Sequence, residues 1–170
     1  MARYPEILAG NRITAQLLDS MLPDVIVKAA TESVTSSVAA QNDDELFVSV
    51  EANAQYKVRL YLLHDSATAG DIDVGWSGPS GATMDWGMTG AQNATTSSTT
   101  VPDMTLPTKL IGEMNELGGG ASTGTTAILE GTLTTSSTAG TLNFRWAQGT
   151  SSATATNVRA GSTLEVRRVA

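Results

Sequence analysis

The chain has 170 residues, a net charge of −7 at neutral pH and no cysteine. This length fits one domain. The acidic balance argues against direct binding to nucleic-acid phosphates, and the lack of cysteine excludes a disulfide framework and a thiolate metal site. Hydrophobic residues make up 41% of the chain but aromatic residues only 5%. We therefore expect a thin core rich in β-branched side chains, stabilised in part by partner subunits.

The first residues argue against a targeting segment. Arg3, Pro5 and Glu6 interrupt the apolar run that a secretory signal needs. Nowhere does an apolar stretch approach the ~20 residues that cross a bilayer. We expect neither a signal peptide nor a transmembrane span.

The first predicted element is a short amphipathic helix over residues 13–22, which we call the amphipathic segment. Thr14 is a candidate N-cap and Pro23 a helix stop. A helix of this length is marginal alone, so its apolar stripe must dock either on its own domain or on a neighbouring subunit. Both alternatives stay open. The candidate interface side chains in this segment are Ile13, Leu17, Leu18, Met21 and Leu22.

Alternating strands follow the amphipathic segment. Residues 25–27 begin a β-rich region, and apolar residues alternate with polar ones over residues 46–51 and 57–62. A turn at Asn53 joins the last two, so they are predicted to form half-buried antiparallel strands. The acidic cluster Asp43-Asp44-Glu45 precedes them and is interpreted as a solvated turn.

Another strand signal covers residues 71–76, and residues 82–86 are a candidate strand that pairs back on it. The sequence SGPSG between them, residues 77–81, has the chemistry of a turn. Residues 90–100 are small and polar throughout, which predicts an exposed loop or a weakly packed edge.

The second half of the chain is predicted to add three strands, at residues 126–134, 140–147 and 162–169. In the mixed region before them, Leu106, Leu110 and Ile111 are the predicted core positions, and Gly118-Gly119-Gly120 is interpreted as a flexible turn. Strand signals recur without a long helical period or an internal repeat. The fold class is therefore predicted as all-β, an antiparallel β-sandwich or jelly roll (31–170) with a short helix-containing N-terminal arm (1–30).

Candidate catalytic groups are few. His64 is followed by Asp65, but a catalytic His–Asp pair needs spatial adjacency and a nucleophile on a constrained turn. We interpret His64 as a surface histidine at a strand end. Ser77 and Ser80 lie in GWSGPSG, where Pro79 replaces the second glycine of a nucleophile elbow and no helix follows. The sequence predicts no catalytic site.

Binding-site signals are also weak. Asp71 and Asp73 are predicted to share one strand face, but two carboxylates are too few for a convincing calcium site. The Gly118-Gly119-Gly120 stretch lacks the lysine and spacing of a phosphate-binding loop. We expect no metal and no cofactor.

The three tryptophans, Trp76, Trp86 and Trp146, allow two interpretations. Exposed indole rings stack on sugars, whereas indoles in alternating strands pack in a core or a subunit interface. The strand context favours packing. Trp76 and Trp86 therefore join the interface candidates.

Four stretches of the sequence resemble a known group of proteins: ILAGNRITAQLLDSMLP, SVEANAQYKVRLYLL, AGDIDVGWSGPSGA and VRAGSTLEVRRV. They resemble small virion structural proteins of tailed bacteriophages that infect actinobacteria. The resemblance covers the two ends and the first half of the chain well and residues 90–125 poorly. AGNRITAQLL is also similar to N-terminal segments of phage tail and fibre proteins, so it does not separate head from tail.

The resemblance implies a non-enzymatic β-sandwich protein that assembles in the host cytoplasm and is displayed on the virion surface as a homotrimer. Its partners would be further copies of itself and the major capsid protein or tail proteins, with no direct contact to nucleic acid or membrane. Capsid decoration is favoured because the chain is small and carries no repeat or coiled coil. The alternative is a minor tail or tail-fibre protein that binds host-surface carbohydrate.

Overall fold

The computed structural model describes residues 5, 7–10, 12–67, 70–91, 108–119 and 124–170. Within these ranges the chain forms one short helix and twelve strands. In chain order the elements are α1 Ala15–Asp19, β1 Asp24–Val27, β2 Glu32–Val34, β3 Gln41–Val50, β4 Gln55–Asp65, β5 Ile72–Ser77, β6 Thr83–Thr89, β7 Lys109–Leu110, β8 Met114–Leu117, β9 Thr125–Thr134, β10 Gly140–Gln148, β11 Thr156–Val158 and β12 Thr163–Arg168.

The strands form two antiparallel sheets that pack against each other. The large sheet has the order β1-β12-β4-β9-β6-β7, and β11 pairs with both β4 and β2 beside it. The small sheet has the order β3-β10-β5-β8. The predicted all-β sandwich is therefore confirmed.

The core between the sheets consists mainly of leucine, valine and aromatic side chains. Trp76 and Phe144 pack edge to face with their ring centroids 5.6 Å apart. The predicted thin, β-branched core is wrong, because bulky side chains fill the space that inward positions of facing strands create. The largest fully buried apolar side chains are Trp76, Trp86, Trp146, Phe144, Leu46, Leu60, Leu62, Ile72, Met84, Leu129 and Leu133.

Strands that were predicted to pair with the next strand in the sequence lie in opposite sheets instead. The turn at Asn53 is confirmed, and Asn53 has a φ of +53°, a left-handed conformation that asparagine tolerates. However, β3 lies in the small sheet and β4 in the large sheet, and β5 and β6 are divided in the same way. Their apolar faces meet across the core, since alternation marks the inward face but not the hydrogen-bonding partner.

The N-terminal region is less regular than the sequence predicted. Helix α1 covers only five residues, and its predicted N-cap is confirmed because the Thr14 hydroxyl accepts a hydrogen bond from the Leu17 N–H. Strand β1, within the predicted arm, pairs with β12 and so belongs to the large sheet. Of the described residues, those before Asp24 therefore stand apart from the sheets.

Several smaller predictions also change. Leu110 is exposed rather than buried, whereas Ile111 packs partly against the core; Leu106 lies outside the described residues. Gly118 and Gly119 are buried rather than loosely exposed, and the Gly119 N–H donates to Asp71 Oδ1 at 3.1 Å. No strand was predicted for β2, β7, β8 or β11, each of which has at most four residues, so their alternation is too short to recognise.

Candidate functional site

His64, predicted at the surface, is completely buried at the end of β4. Neither ring nitrogen has a hydrogen-bond partner in the described part of the chain. Burial lowers the pKa of His64 to about 4, against the smaller opposing effect of the Asp65 and Asp71 charges. The imidazole is therefore neutral at neutral pH and closed to solvent, so it cannot serve a substrate in this conformation.

Ser77 and Ser80 lie where a turn was predicted. The Ala82 N–H donates to the Pro79 carbonyl, and Gly81 has a φ of +75°. The Ser77 hydroxyl donates to Asn42 Oδ1 at 3.3 Å, and no histidine approaches either serine, since the only one is buried elsewhere. Ser80 lies in the turn as predicted, whereas Ser77 is the last residue of β5.

Asp71 and Asp73 do not form a cation site. Asp71 precedes β5 with a φ of +41° and is buried, whereas Asp73 lies on the outer face of the small sheet opposite Glu116. Burial and the Glu116 charge raise the pKa of Asp73. Among the described residues, no group of three His, Cys, Asp or Glu side chains is placed to hold a metal ion.

All three tryptophans are core residues. Trp76 and Trp146 are fully buried and Trp86 is 2% exposed, and the Trp86 indole N–H donates to the Leu110 carbonyl at 3.1 Å. Packing in the core explains their place in alternating strands. The prediction that Trp76 and Trp86 contact a partner is therefore corrected, because neither ring reaches the surface.

A buried ion pair that the sequence did not reveal links the two sheets. Lys28, which follows β1, donates to Asp43 Oδ1 on β3 at 2.8 Å, and both side chains are buried. Glu32 Oε2 lies 3.2 Å from the same ammonium group. Burial acts to lower the pKa of Lys28, but the hydrogen bonds and charges of Asp43 and Glu32 outweigh it and raise the pKa.

The two acidic neighbours Asp43 and Glu45 are held by the backbone as well. Asp43 Oδ1 also accepts the N–H groups of Glu45 and Leu46, and the Glu45 carboxylate accepts those of Ala29 and Ala30. The predicted solvated turn is thus wrong for Asp43, which lies near the start of β3 and neutralises a buried cation. The cluster is a structural link between the sheets, although the second carboxylate oxygen of Asp43 is buried without a hydrogen-bond partner among the described residues.

The amphipathic segment presents its apolar side chains to solvent. Helix α1 has no buried residue, and the exposed fractions are 68% for Ile13, 54% for Leu18 and 65% for Leu22. Met21 is also exposed, and Leu17 is half-buried. Of the two alternatives left open by the sequence, docking on the chain's own domain is not what the structure contains.

The outer face of the large sheet is the second surface with unusual chemistry. Tyr61 is 43% exposed and lies between Thr163 and Ile128 on the flanking strands. On the same strand, Lys57 stands directly opposite Arg167. A shallow depression of about 290 Å³ lies beside these two cations. Glu130 and Glu165 line the same depression, so this face combines exposed apolar groups with charges of both signs, including two cations that stand directly opposite each other.

The comparisons with known proteins yield weak structural neighbours. No family model and no curated protein sequence matches the chain. Among solved structures, one of infectious bursal disease virus strain Gx aligns over 86% of this chain and 40% of its own chain, with 14% identity and a TM-score of 0.23. The VP2 subviral particle of the same virus aligns over 99% of this chain and 46% of its own, with 9% identity and a TM-score of 0.22.

The chain thus spans less than half the length of these viral proteins. TM-scores this low do not establish a shared fold. The architecture therefore stands on the strand registers of this chain, and its function on the exposed surfaces described above. No helix in the described ranges is both long and apolar enough to cross a membrane.

Proposed function

We propose that this chain is a non-enzymatic structural protein of a virion, one that decorates the capsid as a homotrimer and attaches through its amphipathic segment. The observation that carries the proposal is the exposure of that segment. Four large apolar side chains, Ile13, Leu18, Met21 and Leu22, face solvent within ten residues of chain. Burying each stabilises a complex by roughly 1.5–3 kcal/mol, so the segment is built to be covered by a partner.

The strand order supports a virion role. From β3 to β10, consecutive strands lie in different sheets except for β6 and β7. Within this set the orders are β3-β10-β5-β8 and β4-β9-β6-β7, which is the arrangement of an eight-stranded jelly roll. Jelly rolls are common in viral capsid proteins and in lectins. The fold by itself does not fix the function.

The tail alternative loses its predicted binding residues. A glycan-binding role was expected to use Trp76, Trp86 or Trp146, and all three are buried. A sugar cannot stack on them without opening the core. We therefore retain capsid decoration as the proposed function. The number of copies per particle distinguishes it from a role in the tail.

Deleting residues 1–23 tests the attachment role. Because helix α1 buries none of its side chains, we expect the shortened protein to keep its thermal unfolding midpoint within a few degrees and to lose its binding to particles that lack the protein. Binding is measured by co-sedimentation of the labelled protein with those particles.

A full-length variant with Leu18→Ser and Leu22→Ser should lose binding in the same way, whereas Val38→Ser, which alters an exposed apolar side chain outside the segment, should keep it. Unchanged co-sedimentation of the deletion variant would overturn the attachment role. Quantitative mass spectrometry of whole particles then separates the two locations: hundreds of copies indicate the head and a handful the tail.

A further inference from the structure

The outer face of the large sheet carries an apolar strip that nothing in the described chain covers. Val27 on β1, Tyr61 on β4 and Ile128 on β9 align across the sheet through the registers Val27 to Thr163, Thr163 to Tyr61 and Tyr61 to Ile128. Val27 and Tyr61 are exposed and Ile128 is half-buried. Outward strand positions are usually polar in a sandwich, so this strip resembles an interface.

A basic pair, Lys57 and Arg167, lies further along the same face, beyond a row formed by Val25, Glu165, Arg59 and Glu130. The two residues are direct cross-strand partners, an arrangement of like charges that destabilises a sheet. Neither has an ion-pair partner among the described residues, although Arg59 beside them is paired with Glu130 at 3.2 Å. An acidic group from another molecule would relieve this repulsion.

The amphipathic segment carries such a group. Asp19 is exposed and closes helix α1, whose last turn contains no basic residue. A carboxylate at a helix C-terminus faces the negative end of the helix dipole and is stabilised by an external cation. Among the described residues, Asp19 has no cation partner, and the leucines of its segment have no surface to pack against.

The outer face of the small sheet is the poorer match. It presents Asp73 and Glu116 directly opposite each other, and their negative charges repel Asp19. Its large exposed apolar residue on β3 is Phe47, which is paired with the polar Asn143. The large sheet also carries Glu130 and Glu165 on its outer face, but among the described strand pairs only this sheet has two cations directly opposite each other. This cation pair and the apolar strip favour the large sheet.

We propose that the amphipathic segment of one copy docks on the outer face of the large sheet of a second copy. Its leucines cover the apolar strip and Asp19 approaches the basic pair. Lys57 and Tyr61 lie about 13 Å apart along β4, and the ten residues of the segment span at least about 15 Å. This inference rests on the proposed function and deepens it: a second copy covers the segment in the trimer, so deleting the segment abolishes particle binding by breaking up the trimer that the particle recognises.

The symmetry of this contact suits the proposed homotrimer. The donor surface, residues 13–22, and the acceptor surface on the large sheet are different patches of the same chain. A contact between different patches is heterologous and closes into a ring when the rotation between copies is a simple fraction of a turn. Each copy in a ring of three gives one segment and receives one.

Cysteine cross-linking of the purified full-length protein tests the contact, and the natural chain has no cysteine to interfere. A Leu18→Cys protein with a size tag is mixed in equal amounts with untagged Val27→Cys, Tyr61→Cys or Ile128→Cys protein and then oxidised. A disulfide forms only where Cα atoms come within about 7 Å. We expect a tagged-to-untagged heterodimer with at least one of the three on non-reducing gels.

The matched control is Ser49→Cys, an exposed position on β3 in the small sheet. The inference is overturned if none of the three strip positions gives a higher heterodimer yield than Ser49→Cys. Asp19→Lys should lower the yield, and adding Lys57→Asp and Arg167→Asp to the acceptor should restore it; failure to restore it would remove the proposed role of Asp19.

Because this assay uses purified protein, its result is independent of particle binding. If the cross-link is absent while deletion of residues 1–23 still abolishes co-sedimentation, the docking surface is wrong and the attachment role stands. If the cross-link forms while co-sedimentation is unaffected by the deletion, the segment joins copies to each other and the attachment role fails.

Discussion

The sandwich and the amphipathic segment place the same residue types in opposite environments. Leu60 in β4 is completely buried, whereas Leu18 in helix α1 is 54% exposed. The sandwich is therefore stabilised by apolar side chains that its own chain buries. The apolar side chains of the segment can contribute free energy of the same kind only when a partner buries them. The difference teaches that the folded domain and the assembly surface are energetically separate parts of this protein.

The largest expected effect concerns the ion pair that joins the sheets. Lys28→Met should lower the free energy of unfolding by about 3–5 kcal/mol, because it leaves the buried Asp43 carboxylate without its cation. Urea denaturation measures the change. The control Arg12→Met removes an exposed cation outside both proposed contact surfaces and should stay within about 0.5 kcal/mol. Similar losses in both variants would mean that burial of the pair does not matter.

A matched leucine pair tests the separation between the two regions directly. Leu60→Ala should destabilise the domain by about 2–5 kcal/mol, because it removes buried methyl groups and leaves a cavity. Leu18→Ala should change stability by less than about 0.5 kcal/mol while weakening particle binding. Measured unfolding energies that fall equally in both variants would contradict the exposure of the segment.

His64 predicts a pH dependence of the sandwich alone. Its pKa is about 4 when folded and about 6.5 when unfolded. The unfolded chain therefore binds the proton first, so stability is full above pH 6.5 and falls as the pH drops toward 4, by about 3 kcal/mol.

His64→Leu removes this dependence and two buried nitrogens without hydrogen-bond partners. At neutral pH the variant should be at least as stable as the natural chain. The check is the difference between the two proteins in urea-unfolding energy from pH 7 to pH 4. Parallel curves would show that His64 is protonated in the folded state at the same pH as in the unfolded state.

The sequence predicted much of the sandwich and little of its buried polar groups. Alternation located β4, β5, β9, β10 and β12, and it placed the tryptophans in strands whose inward positions are buried. It missed Lys28 and His64, since lysine and histidine at strand ends are ordinarily solvated. Their burial depends on Asp43, 15 residues away from Lys28, and on distant strands that close over His64.

The sequence predicted the amphipathic segment but not the surface on which we propose that it docks. The apolar spacing of residues 13–22 and the Thr14 cap are local properties, and the sequence located both. The apolar strip and the basic pair were not predicted, because they exist only where β1, β12, β4 and β9 align. Residues more than a hundred positions apart in the chain, such as Lys57 and Arg167, become neighbours through that register.

The sequence by itself determined which residues face inward, because the side-chain period of two along a strand is a local property. It also determined that one short segment is apolar on one side. Tertiary structure alone decided that β3 and β4 lie in opposite sheets. Alternation shows which face of a strand is apolar, but it does not show which of the two sheets the strand joins. Tertiary structure alone also decided that the segment stays uncovered, because the core is already filled by the chain's own side chains.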